Sequence, residues 1–355
     1  MGAGVTPVSR LREAVGEAVG RGDLDALVRL VGELCSAADW EGVVLLRDRS
    51  RAALERGLQL WPAAEYAEYR LALEAPGSFS GPAVVEGAGR FALGPLWEVA
   101  ASAHTWEELR PHVPAGPARA LAAHERAVRG EDLAADPSID PGVLDLPLVL
   151  QEWEPGYPRA VFHPDKADFP TPARPALRPL PLPEAGSALE DDQTVEALLD
   201  LARPWAEQSN GRVEAVLVEG SAAAAIAALG HGEVLAAEVD GPTALAWMTW
   251  AAASGGAYGR RRGSAVGRAA AWWALAAIAD LEWPVAPERL GAALAAVRWL
   301  AWEPPDFTLG WGLHLAGELL GEGLGFAVTA ADTRREETPE GRDSGRSGPL
   351  PQAGG

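Results

Sequence analysis

The sequence predicts an α/β protein, with α+β as the variant. It reads as an irregular all-helical N-terminal domain, a Pro-rich extended strap, and a Trp-rich C-terminal layered domain with a mixed sheet of about five strands. Three observations carry that expectation. Apolar residues recur at helical spacing through residues 7–133, prolines crowd residues 134–189, and strand-like runs begin at Val213. The expected boundaries are 1–133 for the helical domain, 134–189 for the strap, 190–333 for the α/β domain and 334–355 for a disordered tail.

The helical part opens with Leu11, Ala14, Val15, Ala18 and Val19 on one face. After an interruption at Gly22-Asp23, Leu24, Leu27, Val28, Leu30, Val31 and Leu34 continue a second face. Residues 43–60 predict a third helix and residues 65–73 a fourth, which Pro76-Gly77 ends because proline cannot continue the hydrogen-bond ladder. Thr105-Trp-Glu-Glu108 has the pattern of a capping box, where hydroxyl and carboxylate satisfy free amides at a helix start. Gly116-Pro117 opens a further helix, and Gly130 suits the left-handed conformation that ends it. The helices are unequal in length and no fixed period recurs, so the array is not a regular solenoid.

Twelve prolines lie between Pro137 and Pro183, a density that enforces extended backbone. The same stretch holds Leu144, Leu146, Leu148, Leu150, Trp153, Tyr157, Phe162 and Phe169. These side chains are too apolar to stay in water, so the strap is expected to lie across one or both domains.

In the C-terminal part, residues 194–207 predict a helix and Asn210-Gly211 a turn. Strands follow at 213–219 and 233–239, with a helix at 221–229 between them. Gly241-Pro242 starts a helix carrying Trp247, Met248 and Trp250. Residues 264–281 form another that is apolar almost all round, so it must be covered on most sides. Ala286-Pro287 opens the last helix, to Val297. Strands are expected at 298–303, 309–315 and 323–331; Leu309, Trp311, Leu313 and Leu315 alternate, as do Leu324, Phe326 and Val328. Eight of the 14 tryptophans follow residue 240, which makes this part the aromatic one.

Composition narrows the function classes. The formal net charge is -20 and the pI about 4.7, so a polyanion is repelled over most of the surface and nucleic acid is not expected as a partner. Cys35 is the sole cysteine, which rules out an internal disulfide and fits a reducing compartment. No apolar run reaches the length of a membrane span and residues 1–12 lack the apolar core of a signal peptide, so a cytoplasmic protein is expected. Lys166 is the only lysine, and Ala, Gly, Pro and Arg are abundant; this bias reads as a GC-rich bacterial coding sequence.

The run His124-Glu-Arg-Ala-Val-Arg-Gly-Glu-Asp-Leu133, together with Ala253-Ser-Gly-Gly-Ala-Tyr-Gly-Arg-Arg-Arg-Gly-Ser264 and Trp272-Trp273, resembles a family of uncharacterised bacterial proteins, a domain of unknown function. The resemblance covers most of residues 60–333. It implies that both halves belong to one unit, and it brings no catalytic residues.

The most informative stretch is residues 254–268, where four arginines and five glycines separate two nearly uncharged helical runs in an acidic chain. Helix-start amides with guanidinium groups in bidentate geometry suit a phosphate or carboxylate. Gly255, Gly256, Arg260, Arg261, Arg262, Ser264 and Arg268 are therefore the candidate anion-binding residues. The spacing is not a P-loop, because the lysine is missing and a helix precedes it. The other reading has these arginines paired with Glu219, Glu238, Asp240 or acids of the first domain, as an interface network.

Other chemistry is not signalled. His104, His112 and His124 read as surface or capping residues, since no two fall on adjacent turns and no metal motif exists. Ser221 follows a strand but lacks the Gly-x-Ser-x-Gly frame of a nucleophile elbow. No catalytic residue, metal or cofactor is expected. The chain reads as an accessory protein that binds another protein; the alternative is a binder of, or enzyme acting on, an anionic small molecule at the Gly/Arg loop.

Overall fold

The computed structural model describes residues 7–85, 87–90, 92–305 and 310–332. Leu309 and the expected tail at 334–355 lie outside the described residues.

The N-terminal half is helical: α1 (Pro7–Arg21), α2 (Leu24–Ser36), α3 (Trp40–Ala52), α4 (Trp61–Glu74), α5 (Gly77–Ala83), α6 (Leu96–Ala103), α7 (Trp106–Leu109) and α8 (Pro117–Val128). Asp23 and Asp39 cap α2 and α3 by accepting from the amides of Ala26 and Gly42 at 3.0 and 3.1 Å. The helix expected over 43–60 ends at Ala52. A 3-10 turn follows, and Gly57 adopts a left-handed φ of 78° that carries the chain away. The capping box at Thr105–Glu108 forms as read, and Pro117 opens α8. One core gathers Val15, Leu27, Val31, Leu34, Val43, Leu46 and Leu71; a second gathers Tyr69, Leu96, Val99, Trp106 and Leu109.

The strap contributes β1 (Val161–Phe162), β2 (Ala167–Asp168), β3 (Arg178–Pro181) and β4 (Ser187–Ala188). It lies against both halves. Leu148, Ala160 and Phe162 join the second helical core, while Leu146 and Tyr157 join the C-terminal one.

The rest comprises α9 (Asp192–Asp200), α10 (Arg203–Gln208), β5 (Arg212–Glu219), α11 (Ala222–Ala228), β6 (Glu233–Val239), α12 (Gly241–Ala253), α13 (Ser264–Ile278), α14 (Pro287–Ala296), β7 (Val297–Glu303), β8 (Trp311–Leu319) and β9 (Leu324–Asp332). The single helix expected over 194–207 is two. Pro204 has no amide hydrogen to give and sits in the first turn of α10, where none is needed.

The five expected strands form the body of a seven-stranded sheet in the order β3-β6-β7-β8-β9-β5-β4. Every pairing is antiparallel, so the sheet is not mixed and the fold is the α+β variant. Both edges are covered by the strap, a role that tolerates Pro179 and Pro181 because an edge strand has one side free of ladder bonds. Only five residues separate β3 from β4, a reach of roughly 20 Å, whereas seven flat strands would hold those edges about 29 Å apart. The sheet is therefore coiled, and its concave side encloses α11: the amide of Gly186 donates to the Ala224 carbonyl as the strap crosses it.

Alternation along the strands sorts the two faces. Leu217, Leu313, Leu315, Phe326 and Val328 meet α9, α12, α13 and α14, while Val218, Ala316 and Ala327 meet α11. α12 and α13 pack closely, and the N-terminus of α13 points at the helical half, where α8 meets it.

Candidate functional site

The Gly/Arg loop runs from the end of α12 to the start of α13 and lands against α6 and α8. Gly263 precedes α13 with φ 94°, and a Cβ there would stand 3.0 Å from Glu125 Oε1. Glycine is required both by the backbone angle and by this approach.

Two carboxylates of the helical half sit on the first amides of α13. Glu98, on α6, accepts from Ser264 N at 3.3 Å and Ser264 Oγ at 3.0 Å. It also accepts two parallel bonds from Arg261, from Nε at 2.7 Å and from Nη2 at 2.6 Å. Glu125, on α8, accepts from Ala265 N at 2.7 Å. Both carboxylates are fully buried. The positive end of the helix dipole and its free amides favour negative charge there. Arg261 also stacks 4.6 Å over the Phe169 ring of the strap and donates to Ser264 Oγ at 3.2 Å.

One turn on, Arg268 is fully buried and holds a carboxylate of the strap. Its Nε and Nη2 donate to Glu154 at 2.7 and 2.6 Å, and its remaining donors reach the carbonyls of Pro147 at 2.8 Å and Val149 at 3.1 Å. Glu154 further accepts from Tyr157 Oη at 2.6 Å, Trp272 Nε1 at 3.1 Å and Gln151 N at 3.0 Å. Ser264, Arg268 and Trp272 follow one another at intervals of four, so one stripe of α13 carries these three side chains.

Burial shifts the titration of this cluster. Glu125 is pushed up to about 8, by burial first and by the neighbouring Glu98 charge second. His124 is pushed down to about 4 by burial and by the Arg268 charge. Burial also lowers Arg129 against the pull of Glu125 and Glu98. The reading of His124 as a surface or capping residue is corrected: it is 1% exposed, and among the described residues neither ring nitrogen finds a partner. The cause lies in α8, where Ala120, Ala122, Ala123 and Ala127 are also buried, so neighbours cover the helix on several sides.

The candidate residues therefore separate. Arg261, Ser264 and Arg268 are joined to the chain's own carboxylates. Gly255 and Gly256 form the buried base of the loop: a Cβ on Gly255 would meet Arg260 O at 2.3 Å, and one on Gly256 would meet Asp332 Oδ2 at 2.3 Å. Asp332 there accepts from Ala257 N at 2.6 Å. Arg260 is exposed. Arg262 is half-buried and faces a cleft of about 670 Å³ between the strap, α10 and α13. Among the described residues its guanidinium makes no hydrogen bond; burial lowers its pKa while the charge of Asp200 raises it. Trp273 and Trp283 line the same cleft, edge to face at 5.6 Å.

Of the carboxylates that complete the cluster, Glu98 and Glu154 carry no motif, and Glu125 stood out only as a neighbour of His124. The pairing of the His124–Leu133 run with the Gly/Arg loop pointed toward Glu125 alone, and α8 and α13 do meet. Ser221 caps α11, accepting from Ala224 N at 3.2 Å. Among the described residues, no three His, Cys, Asp or Glu side chains gather closely enough to hold a metal, and no helix is long and apolar enough to cross a membrane.

Residues 9–316 match the model of a family of unknown function, DUF6183. The match reaches α1, well upstream of residue 60, where the resemblance in the sequence begins. No curated protein and no solved structure matches the chain.

Proposed function

The chain belongs to this family of unknown function, and on that footing we propose that it acts by binding a segment of another protein rather than by catalysis. One observation carries the reading. On the helical half, Trp61, Pro62, Tyr66 and Tyr69 of α4, Leu93, and Pro164 of the β1–β2 turn line an open groove of about 350 Å³. Trp61 is 37% exposed and Leu93 41%. Large aromatic side chains held at a surface are the usual anchors of protein interfaces. Glu65 and Asp165 also line the groove, and the net charge is -20. The occupant is thus a segment with apolar anchors and flanking Lys or Arg. Two guanidiniums of the Gly/Arg loop already have carboxylate partners inside the chain, which supports an architectural role for most of that loop. A cytoplasmic location fits the single buried thiol of Cys35, pushed up to about 11 by burial.

The test is selection from a displayed peptide library on the full chain. Enriched peptides should carry an apolar anchor with basic flanks, and should fail on a Trp61→Ala, Leu93→Ala double variant that keeps its melting temperature. Peptides that bind both proteins equally well would overturn the reading.

A second reading is favoured by Arg262. A half-buried guanidinium without a hydrogen bond among the described residues, facing a wide cleft walled by Trp273 and Trp283, suits an anionic small molecule with a flat apolar part. A thermal-shift screen with phosphates, nucleotides and dicarboxylates tests it, since a ligand of the folded state raises the melting temperature. Stabilisation that disappears in Arg262→Ala supports it; no shift with any of these anions removes it.

A further inference from the structure

α13 is apolar almost all round, and its neighbours cover it almost all round. Four of its residues escape that cover: Val266, Ala269, Ala270 and Trp273 are half-buried, while the rest of the helix is buried. All four line the cleft of about 670 Å³ that Arg262 faces. They follow one another at intervals of three, one and three, so the floor of the cleft is a single open stripe of the helix. Trp283 packs edge to face on Trp273 at 5.6 Å, at the end away from Arg262. The volume falls within the roughly 300–1,000 Å³ of sites that take small molecules.

Charge narrows the ligand. Asp145, Asp200 and Glu207 line the same cleft, with Arg203 and Arg262 as its cations. Arg203 is engaged by Asp200 and Glu196. That leaves Arg262 with two exposed carboxylates, Asp145 and Glu207, whose oxygens accept no hydrogen bond among the described residues. A phosphate dianion would add to this excess of acid, in a chain of net charge -20. A carboxylate with an ammonium beside it balances the cleft. Glu207 is placed for the ammonium. It stands on α10 next to Gln208, whose Oε1 accepts from Arg260 N at 3.4 Å, so this end of α10 touches the Gly/Arg loop. A flat ring has its place too: Ala269 and Ala270 leave a shallow floor about 8 Å of helix rise beyond Ser264, with Trp273 as its wall.

Building on the reading of Arg262 as the anchor of an anion, we propose that this cleft binds a free aromatic α-amino acid. Its carboxylate pairs with Arg262, its ammonium with Glu207, and its ring lies on Ala269 and Ala270 against Trp273. A free amino acid carries both charges on one carbon, as a peptide C-terminus does not. A plain carboxylate of the same shape reaches Arg262 but leaves Glu207 unpaired, and an amine of the same shape does the reverse.

The experiment titrates L-phenylalanine, 3-phenylpropionate and 2-phenylethylamine into the full chain, read by calorimetry and by melting temperature. The three share a ring and differ in charge. L-Phenylalanine should bind about tenfold more tightly than either of the others. Arg262→Ala should abolish its binding. Glu207→Gln, a change at an exposed position, should weaken L-phenylalanine about tenfold and leave 3-phenylpropionate unaffected. If 3-phenylpropionate binds as tightly as L-phenylalanine, the amino acid is excluded while an anion at Arg262 stands. If the amine binds as tightly, or if binding survives Arg262→Ala, both fall. Neither heat nor a higher melting temperature with L-phenylalanine up to its solubility limit also excludes the amino acid; the anion reading then stands or falls on the phosphates, nucleotides and dicarboxylates.

Discussion

Arg261 reaches back 163 positions to clasp Glu98 in two parallel hydrogen bonds of 2.7 and 2.6 Å, with both side chains withdrawn from water. The same carboxylate also takes the first amide and the hydroxyl of α13. A single acid on α6 thus satisfies a guanidinium, a serine and a helix terminus at once. Geometry of this quality is what allows an ion pair to survive burial, because both carboxylate oxygens and the Nε and Nη2 hydrogens of the guanidinium find partners.

Removing one partner of this pair strands the other as a buried charge. Arg261→Met is expected to cost about 3–5 kcal/mol, read as a lower midpoint in urea unfolding. The double variant Arg261→Met, Glu98→Met should recover a large part of that loss, because apolar replacement of both partners of a buried pair is often tolerated. A single variant as stable as the wild type would show that the two halves do not depend on this contact.

The buried pair His124 and Glu125 gives stability a signed dependence on pH. The folded-state pKa of His124 is about 4 against an ordinary 6.5, so between those values the unfolded chain binds the extra proton and stability rises with pH. Glu125 runs the other way. Its pKa rises from 4.5 to about 8, so the folded chain keeps a proton that the unfolded chain has lost, and stability falls as pH rises through that range. The two slopes oppose each other up to pH 6.5. Above it Glu125 acts alone, with a slope of up to about 1.4 kcal/mol per pH unit. Melting temperature should therefore fall between pH 6.5 and 8, and Glu125→Gln, which mimics the protonated acid, should flatten that limb. An unchanged alkaline limb in the variant would assign it to another group.

Periodicity made much of this fold readable, because amphipathic helices and alternating strands write burial directly into residue order. Residues 213–219 and 233–239 emerge as β5 and β6 nearly unshifted. Strand direction was not readable: β7 to β9 alternate in the same way whether their neighbours run parallel or antiparallel. The edge strands β3 and β4 were hidden too, since Pro179 and Pro181 argue against a strand unless it lies at an edge, and edges exist only once the sheet is assembled. At the site, the arginines stood out against a nearly lysine-free chain. Their carboxylates did not, because Glu98 and Glu154 are two among 50 acidic residues, and only tertiary packing selects them.

Gly267 sets how closely α12 and α13 approach. A Cβ at this position would stand 2.4 Å from the Thr249 carbonyl oxygen and 2.8 Å from Ala253 Cβ, both fixed by the neighbouring helix. Gly267→Ala gains helix propensity of about 1 kcal/mol but must push the helices apart, and overpacking of this kind costs typically 1–3 kcal/mol. Gly267→Val adds more bulk and a β-branched side chain, so it should lower the melting temperature, with Ala between it and wild type. A valine variant that melts with the wild type would mean that the two helices can separate at this crossing without cost.

Glu154 anchors the strap by accepting from five donors: two on Arg268 and one each on Trp272, Tyr157 and the Gln151 amide. Glu154→Gln keeps the size but replaces one acceptor oxygen with an amide nitrogen. That nitrogen must face either Arg268 Nη2 and the Gln151 amide, or Arg268 Nε, Tyr157 and Trp272, so donor meets donor whichever way the amide turns. It also leaves the fully buried Arg268 without its counter-charge, for a loss of about 3–5 kcal/mol. The damage should be local before it is global, since the carbonyls of Pro147 and Val149 are held by the same guanidinium. Limited proteolysis under native conditions should cut the variant first within residues 134–189, and amide exchange should speed up there ahead of α2 and α4. Cleavage spread evenly over the chain would instead show that the strap and both cores unfold as one.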